Sequence, residues 1–181
     1  MPNFTKKAIK ETFIKLLDQR PLNQITVKDI VEDCGINRNS FYYHYADLPA
    51  LLEEVVAEDL GELIRDHPTI ASLEEGFDTV VEFVLRRKRA VLHIYNSLSR
   101  DVFQRHLMEV CQYVVATYIG SALAGRDMSE EDQAVFIRYH KCVCFGSVMD
   151  WLSGGMRDDI SAFFHRVYQL KIGWEPVGRS D

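Results

Sequence analysis

Cysteine is scarce in this chain, and the few cysteines present lack the spacing of a metal site or a disulfide framework. The four are Cys34, Cys111, Cys142 and Cys144. None forms a C-x-x-C pair, and four cysteines in 181 residues fall below the density of small disulfide-stapled domains. Cys142 and Cys144 stand two apart in a predicted helix and therefore point in different directions. We expect reduced, buried thiols and no metal.

Long apolar runs are absent as well. No segment approaches the ~20 apolar residues that a membrane-spanning helix requires. The first residues, MPNFTKKAIKETF, lack the continuous apolar core of a secretion signal. The sequence therefore predicts a cytoplasmic location.

The motifs of common enzymes are missing too. The chain has no phosphate-binding glycine loop followed by lysine, no nucleophile elbow and no His-Glu-x-x-His metal helix. Its six histidines are scattered, and a lone helical histidine is more often a core or surface residue than a ligand. We predict a protein that is not an enzyme and that uses no cofactor.

Composition is that of an ordinary folded protein. Hydrophobic residues make up 47% of the chain and charged residues 27%, enough for one good core or two small contiguous ones. The net charge of -6 argues against a nucleic-acid partner, because such proteins often carry a basic face. The distribution weakens that argument: up to Tyr45 seven lysines and arginines face five acids, 7 − 5 = +2.

Two short helices separated by a tight turn are predicted between Ile25 and Tyr45. Thr26 is a suitable N-cap, and Val27, Ile30 and Val31 share one face of the helix that follows. Gly35 can adopt the left-handed conformation that ends this helix sharply. The pattern is that of a helix-turn-helix.

The second of these helices has a crowded polar side. Asn37 is its predicted cap, and Phe41 and Tyr45 are its predicted buried residues. Arg38 and Asn39 can make forked hydrogen bonds to base edges, whereas the other polar groups suit phosphate oxygens. A solvated helix in a small bundle is the plainer interpretation. The density of such groups exceeds what solubility requires. We predict DNA contacts at Thr26, Lys28, Asn37, Arg38, Asn39, Ser40, Tyr42, Tyr43 and His44.

Three segments together strongly resemble the DNA-binding domain of TetR-family transcriptional regulators. They are Ile25-Thr26-Val27 through Asp29-Ile30, Gly35-Ile36-Asn37, and Phe41-Tyr42-Tyr43-His44-Tyr45. The resemblance covers about the first third of the chain, and its finer pattern is similar to a branch common in Firmicutes that includes dihydroxyacetone-kinase regulators. It implies an all-helical homodimer whose second domain binds a small effector. At the start of the fourth helix many members carry a phosphate-binding lysine, and this chain carries Leu48.

We therefore expect an all-α fold of about nine helices. Residues 1–47 would form a three-helix helix-turn-helix domain, and residues 48–181 a helical effector-binding and dimerisation domain, with helix 48–65 linking the two. Further helices are predicted from a Thr5 cap, from a capping box at Ser72–Glu75, through His93–Tyr95, over Arg100–Ala124, over Ser129–Ser153 and over Ile160–Ile172.

The helix over Ser129–Ser153 is apolar nearly all round, so it must be covered on both sides, and a second subunit is the expected cover. The predicted dimer interface is Phe136, His140, Val143, Ser147, Trp151, Phe163, Phe164 and Val167. Candidate polar groups for an effector pocket are His93, Asn96, His106, Tyr113, Tyr118 and Tyr139.

The functional prediction is a ligand-responsive regulator, a repressor, that binds a palindromic DNA operator as a homodimer. The alternative is a DNA-independent helical interaction module that acts through a protein partner, which the acidic charge and Leu48 would suit.

Overall fold

The structure, a computed structural model, describes residues 2–97, 99–122 and 128–170, and in that part of the chain it is all α-helical. Nine α-helices and one short 3-10 helix make up the described regular structure, as the sequence predicts. The α-helices are α1 (Pro2–Gln19), α2 (Val27–Cys34), α3 (Arg38–His44), α4 (Leu48–Asp66), α5 (Leu73–Leu85), α6 (Lys88–Tyr95), α7 (Arg100–Ala122), α8 (Glu130–Ser153) and α9 (Ile160–Gln169). The 3-10 helix spans Leu22–Gln24.

The first helix begins earlier than the sequence analysis expects. Helix α1 starts at Pro2, so Thr5 lies inside the helix and the prediction that it caps the helix is wrong. Proline is favoured in the first helical turn, because its missing N–H would have no intrahelical acceptor there. Helix α7 ends at Ala122 and α9 at Gln169. The predicted ends at Ala124 and Ile172, and the break at 125–127, lie outside the described residues.

The predicted capping box before α5 forms with a different second bond. The Glu75 N–H donates to the Ser72 hydroxyl at 3.0 Å, as expected for this motif. The Glu75 carboxylate, however, accepts from the N–H of Ala71 at 2.8 Å instead of from that of Ser72. The donor thus lies one residue before the expected one, and the Glu75 carboxylate still satisfies a backbone N–H near the helix start.

The described chain divides into two compact units. Of the described residues, the first comprises 2–67, 83–97 and 99–110, and the second 68–82, 111–122 and 128–170. Helices α5 and α7 each contribute residues to both units. The predicted boundary between residues 47 and 48 follows sequence motifs rather than compactness, and it stays a prediction.

The core of the first unit joins the two predicted helix-turn-helix helices to α1 and α4. Its fully buried side chains include Phe13 of α1, Ile30 of α2, Phe41 of α3 and Leu52 of α4. On α6, the His93 imidazole Nδ1 bonds to the backbone carbonyl of Leu17 near the end of α1. That carbonyl belongs to the last turn of α1, where carbonyls lack helical donors. Buried side chains of α1 and α4 therefore pack against α2 and α3 within the first unit.

The second unit is built around α8 and its neighbours. Phe77 of α5 packs on Phe164 of α9, with ring centroids 4.4 Å apart. A Cβ added to Gly76 would lie 2.5 Å from the Val114 Cγ1, so α5 and α7 approach each other closely there because residue 76 is glycine. Cys144 is buried 3.5 Å from Cys111, whereas Cys142 is exposed. All four cysteines are free, and the predicted divergence of Cys142 and Cys144 is confirmed. The prediction that the thiols are buried is wrong for Cys142, which is exposed, and for Cys34, which is half-buried, because their helix faces are only partly covered.

Among residues 2–97, 99–122 and 128–170, no helix is long and apolar enough to cross a membrane. The same residues contain no cluster of histidine, cysteine and acidic side chains that could hold a metal ion.

Candidate nucleic-acid interface

The start of α2 is fixed by a reciprocal capping box. The Thr26 hydroxyl accepts from the Asp29 N–H at 3.2 Å, and the Asp29 carboxylate accepts from the Thr26 N–H at 2.8 Å. The hydrogen bonds from the Thr26 hydroxyl and backbone N–H lower the pKa of Asp29, and the nearby Arg20 guanidinium adds to the effect. A charged Asp29 at a helix N-terminus is also favoured by the helix dipole. Thr26, although exposed, is therefore first of all a cap.

The turn between α2 and α3 depends on Gly35. This residue ends α2 with φ of 67° and ψ of 31°, in the left-handed region that favours glycine. Its N–H and that of Ile36 return to carbonyls of the last turn of α2. The turn therefore satisfies backbone groups locally and sets the direction in which α3 starts.

Helix α3 is capped by Asn37 and seated by two aromatic side chains. The Asn37 amide oxygen accepts from the Ser40 N–H at 2.8 Å and from the Ser40 hydroxyl at 3.1 Å. Phe41 and Tyr45 are both buried, as the sequence predicts. Asn37 and Ser40 are thus engaged with each other in the unbound chain, so a DNA contact by either would be additional to a capping role.

The opposite side of α3 is open to solvent. Arg38 and Asn39 are exposed, and Tyr42 and Tyr43 expose 55% and 79% of their surfaces. His44 is half-buried and makes an edge contact with the Tyr43 ring, 5.0 Å between centroids. A forked guanidinium, a carboxamide and two phenols therefore lie together on one exposed short helix.

Arg38 differs from the other cations of this segment. Among the seven lysines and arginines between positions 4 and 45, it alone lies within ion-pair distance of no carboxylate of the described residues. The six paired cations are Lys6, Lys7, Lys10, Lys15, Arg20 and Lys28, with acidic partners at Glu54, Glu11, Glu58, Asp33, Asp29 and Glu32. Much of the positive charge counted from sequence is therefore neutralised locally, and Arg38 is the unneutralised cation of this surface.

A group of charged side chains, missed by the sequence analysis, anchors the end of α3. We call it the Glu54 cluster: Lys6, Lys10, Tyr45, Glu54 and Glu58. The Glu54 carboxylate accepts from Lys6 at 2.8 Å and from Lys10 and the Tyr45 hydroxyl at 3.3 Å each. Burial raises the pKa of Tyr45, and the neighbouring Glu54 charge raises it further. The cluster ties the residue that follows α3 to both α1 and α4.

The basic start of α1 is part of this cluster. Lys6 also lies 5.7 Å from the centre of the Tyr45 ring, within cation–π range. Lys6 and Lys10 therefore form ion pairs with glutamates of α4, which leaves less of their positive charge available to a phosphate group. No pattern in the sequence marks these partners, because 44 to 48 residues separate Lys10 from its two glutamates.

Helix α4 begins without a cation in its first turn. The Asp47 carboxylate accepts from the Ala50 N–H at 2.8 Å, and Leu48 is half-buried. The first turn of α4 therefore carries an apolar side chain, Leu48, where the resemblance would place a phosphate-binding lysine. Backbone N–H groups at the helix start are the remaining anion donors there.

Comparison with known families identifies the chain. Residues 11–55 match the family model described as bacterial regulatory proteins, tetR family. Residues 71–173, more than half of the chain, match the model described as a transcriptional regulator C-terminal region. The chain belongs to the TetR family. This is a family of transcriptional regulators and not of enzymes, which confirms the non-enzymatic prediction.

Individual relatives of this TetR-family chain are distant. It is 23% identical over 182 residues to an uncharacterised helix-turn-helix regulator, YxbF, of Bacillus subtilis, covering 94% of this chain and 45% of the relative. It is 33% identical over 63 residues to the dhaKLM operon transcriptional activator DhaS of Lactococcus lactis, covering 35% and 34% of the two proteins. It is 25% identical over 116 residues to the regulator TtgR of Pseudomonas putida, covering 60% and 53%.

The matches therefore span about half or less of the length of these curated relatives. A solved structure of the dihydroxyacetone kinase operon activator DhaS has a TM-score of 0.74 to this chain. It is 18% identical and covers 93% of this chain and 94% of its own. At this identity the likeness shows a shared fold.

The structure separates the predicted interface residues into three groups. His140, Trp151 and Phe164 are buried inside their own protomer, where Phe164 packs on Phe77. Val143 and Phe163 are exposed, and Phe136, Ser147 and Val167 are half-buried. The exposed pair can reach a second copy directly, whereas the buried three support the helices from within. The interface itself stays a prediction.

The predicted effector-pocket residues fall in both compact units. His93, Asn96 and His106 belong to the first, and Tyr113, Tyr118 and Tyr139 to the second. His93 and Asn96 bond to backbone carbonyls, and His106 lies 3.1 Å from the Glu109 carboxylate. Tyr118 packs near Phe136, and Tyr139 is exposed. Each residue thus has a structural role or an exposed position, and its part in an effector pocket remains a prediction.

Proposed function

We propose that this TetR-family chain is a ligand-responsive transcriptional regulator that binds a palindromic DNA operator as a homodimer. The observation that carries the proposal is the exposed side of α3, where Arg38 has no acidic partner among the described residues and stands beside Asn39 and two exposed tyrosines. A helix of this kind fits a major groove, where arginine reads guanine and asparagine reads adenine with paired hydrogen bonds.

The side chains divide by their expected contacts. Arg38 and Asn39 are proposed base readers, because the Arg38 guanidinium can donate two parallel hydrogen bonds and the Asn39 carboxamide can donate one and accept one. Tyr42, Tyr43, Ser40 and His44 are proposed phosphate contacts. Thr26, Lys28 and Asn37 complete the proposed surface from α2 and the turn. Since Thr26 and Asn37 already cap helices, their contribution should be mainly to hold backbone N–H groups toward the phosphates.

Binding to the DNA upstream of the chain's own gene tests the proposal. Fluorescence anisotropy would compare the wild type with Arg38→Ala and Asn39→Ala on that DNA and on random DNA of equal length. Each substitution should cost ~1–3 kcal/mol on the specific site and relax preference at one base pair. Arg157→Ala, which removes the same charge from the loop before α9, should change neither affinity.

The outcomes separate the proposed roles. Equal loss on both DNAs for Asn39→Ala would make it a phosphate-side residue instead of a base reader. If the wild type binds neither DNA at low salt, the result would favour the other candidate function, a helical interaction module acting through a protein partner. The net charge of -6 is what favours that candidate.

The direction of regulation is a separate part of the proposal. We propose repression, in which the bound dimer lowers transcription from the operator. The relative DhaS is by its name an activator, so a reporter gene behind the operator should be measured with and without the protein. Lower expression with the protein would support repression, and higher expression would assign activation.

Regulation by an effector is proposed through a change in the spacing of the two α3 helices. Two recognition helices reach successive major grooves only when their centres lie near ~34–36 Å apart or a multiple of it. A ligand that weakens operator binding tenfold must itself bind the operator complex tenfold more weakly, a coupling of ~1.4 kcal/mol. Calorimetric titration of the metabolite that induces the neighbouring operon, into free and operator-bound protein, tests this. Equal affinities would exclude that compound as the effector.

A further inference from the structure

The second unit has a concave pocket beside the C-terminal half of α8. It has a volume of about 350 Å³, and we call it the α8 socket; its lining residues are Gly146, Ser147, Asp150, Trp151, Asp158, Asp159, Ile160 and Phe163. Two of its walls are aromatic, and three of its lining residues are aspartates. A cavity of ~150 Å³ accommodates a benzene ring, so this pocket has room for a phenol.

The floor of the socket is open because of a glycine. A Cβ added to Gly146 would have no atom within 4 Å. Trp151 is fixed at the back of the socket, since its indole N–H donates to the Asp158 carbonyl at 2.8 Å. Phe163, by contrast, is more than half exposed at the rim. Among the described residues no donor to the Asp150 carboxylate is found, so this acceptor is available inside the pocket.

The same face of α8 carries an exposed aromatic side chain. Tyr139 exposes 51% of its surface beside Val135 and Val143, which are also exposed. These residues, with Arg138 and Cys142, line a shallow groove of about 570 Å³ along the first half of the helix. A large aromatic ring beside exposed valines is unusual for a surface that remains in water.

Tyr139 and the socket are related by the geometry of the helix. Tyr139, Val143, Gly146 and Asp150 are spaced i, i+4, i+7 and i+11, so they form one stripe along α8. Tyr139 lies about 16 Å from Asp150 along the helix axis, at ~1.5 Å per residue. Val143 and Gly146 lie between them, near the middle of the stripe. The exposed Tyr139 ring and the α8 socket therefore lie on opposite sides of Val143 and Gly146 along the helix.

We propose that the α8 socket binds Tyr139 of a second copy of this chain. Two α8 helices packed antiparallel about a two-fold axis near Val143 and Gly146 would place each Tyr139 opposite the socket of the other copy. A two-fold interface requires such self-complementarity, because each surface patch meets its own copy. The ring would pack between Trp151 and Phe163, and the Tyr139 hydroxyl would donate to the Asp150 carboxylate.

This inference rests on the proposed homodimer and adds its register to it. It also places the Tyr139 side chain in the socket of the second copy instead of in an effector pocket. Within one protomer, no side chain of the described residues fills the space between the two aromatic rings and the Asp150 carboxylate. In the dimer each copy inserts its Tyr139 into the socket of the other, so the contact occurs twice.

Dimer dissociation constants from sedimentation equilibrium provide the first test. Tyr139→Ala should raise the constant at least about tenfold, as truncation of a central aromatic anchor does. Tyr139→Phe keeps the ring and should raise it only a few-fold, through loss of the hydroxyl bond. Phe4→Ala removes an exposed aromatic from α1 in the first unit and should leave the constant unchanged.

Gly146→Leu separates a filled socket from a general loss of folding. The added side chain meets open space in one protomer, and replacing a helical glycine favours the helix. Its thermal stability as a monomer should therefore be equal to or higher than that of the wild type. If the socket receives Tyr139, the same substitution should weaken the dimer at least about tenfold, by occupying the place of the ring.

Cross-linking tests the register directly. Tyr139→Cys combined with Asp150→Cys, in a Cys142→Ser background, should give a covalent dimer with a short bis-maleimide reagent, because a tyrosine ring and a hydrogen bond between the two positions hold their Cα atoms too far apart for a disulfide. Eleven helical residues, a rise of ~16 Å, separate the two positions within one chain, so a reagent shorter than this can join them only between two subunits. Each single cysteine variant in the same background should remain uncross-linked.

Failure of the inference can be told from failure of the proposed homodimer. A wild type that is dimeric, with dissociation unchanged in Tyr139→Ala and Gly146→Leu and no cross-link in the double cysteine variant, overturns the socket and leaves the homodimer standing. A wild type that is monomeric at all concentrations tested overturns both.

Discussion

Replacing Glu54 by glutamine should destabilise the first unit, because this carboxylate is the common acceptor of the Glu54 cluster. It lies 2.8 Å from Lys6 and 3.3 Å from both Lys10 and the Tyr45 hydroxyl. Glutamine keeps the volume and one amide oxygen but removes the negative charge. Lys6 would then lack its acidic partner, and Lys10 would retain only Glu58.

The expected magnitude follows from the degree of burial. Removing one partner of a fully buried ion pair costs ~3–5 kcal/mol, whereas an exposed pair contributes ~0–1 kcal/mol. The Glu54 side chain is 29% exposed and that of Lys10 is 17% exposed, so this cluster lies between the two limits. We expect a loss of ~1–2 kcal/mol in the free energy of unfolding. For a chain of this size that corresponds to a decrease of ~2–8 °C in melting temperature.

Thermal unfolding followed by circular dichroism at pH 7 measures the effect, with Glu53→Gln as the matched control. Glu53 is the neighbouring residue of the same helix and pairs with Arg105 at 2.8 Å, but about half of each side chain is exposed. The control should lose less than ~0.5 kcal/mol. The reasoning is refuted if Glu54→Gln is no more destabilising than Glu53→Gln.

Acid provides an independent check on the same carboxylate. Partial burial alone would raise the pKa of Glu54, but hydrogen bonds from Lys6 and Lys10 and their charges lower it below its ordinary value of 4.5. A carboxylate with a lowered pKa in the folded state stabilises the protein above its unfolded pKa, and this stabilisation is lost as the pH falls through the folded value. The stability difference between wild type and Glu54→Gln should therefore be full at pH 7 and shrink below pH 4.5.

Three further predictions concern the helix-turn-helix. Asn37→Ala should cost ~1 kcal/mol in the free energy of unfolding, because it removes the cap of α3, and denaturant titration would measure it; an unchanged midpoint would mean that solvent replaces the cap. Gly35→Ala should cost ~1–2 kcal/mol from its left-handed φ alone, whereas Gly35→Asn should cost less in the same titration, and equal losses would point to another cause. Leu48→Lys should add a phosphate contact and steepen the slope of log affinity against log salt by ~0.9, measured by anisotropy; an unchanged slope would place α4 away from the DNA backbone.

The local sequence determined the helix-turn-helix almost completely. Thr26 and Asn37 cap their helices, Gly35 ends α2 in the left-handed region, and Phe41 is buried, all as predicted from residue type and spacing. These features depend on groups three or four residues apart, so short-range hydrogen bonding and helical periodicity suffice to specify them. The start of α1 was the local error, since Thr5 and Pro2 both suit a helix start and the proline lies further out.

Only the tertiary structure decided which charges remain available. Lys10 is as basic in the sequence as Arg38, yet it pairs with glutamates of α4, whereas Arg38 pairs with no carboxylate in the part of the chain that the structure describes. Tyr45 was recognisable as a buried aromatic, but its bond to Glu54 was not. The pocket beside α8 joins residues of that helix to others after the turn into α9. Such arrangements depend on how helices pack, and packing brings together side chains whose separation along the chain carries no periodic signal.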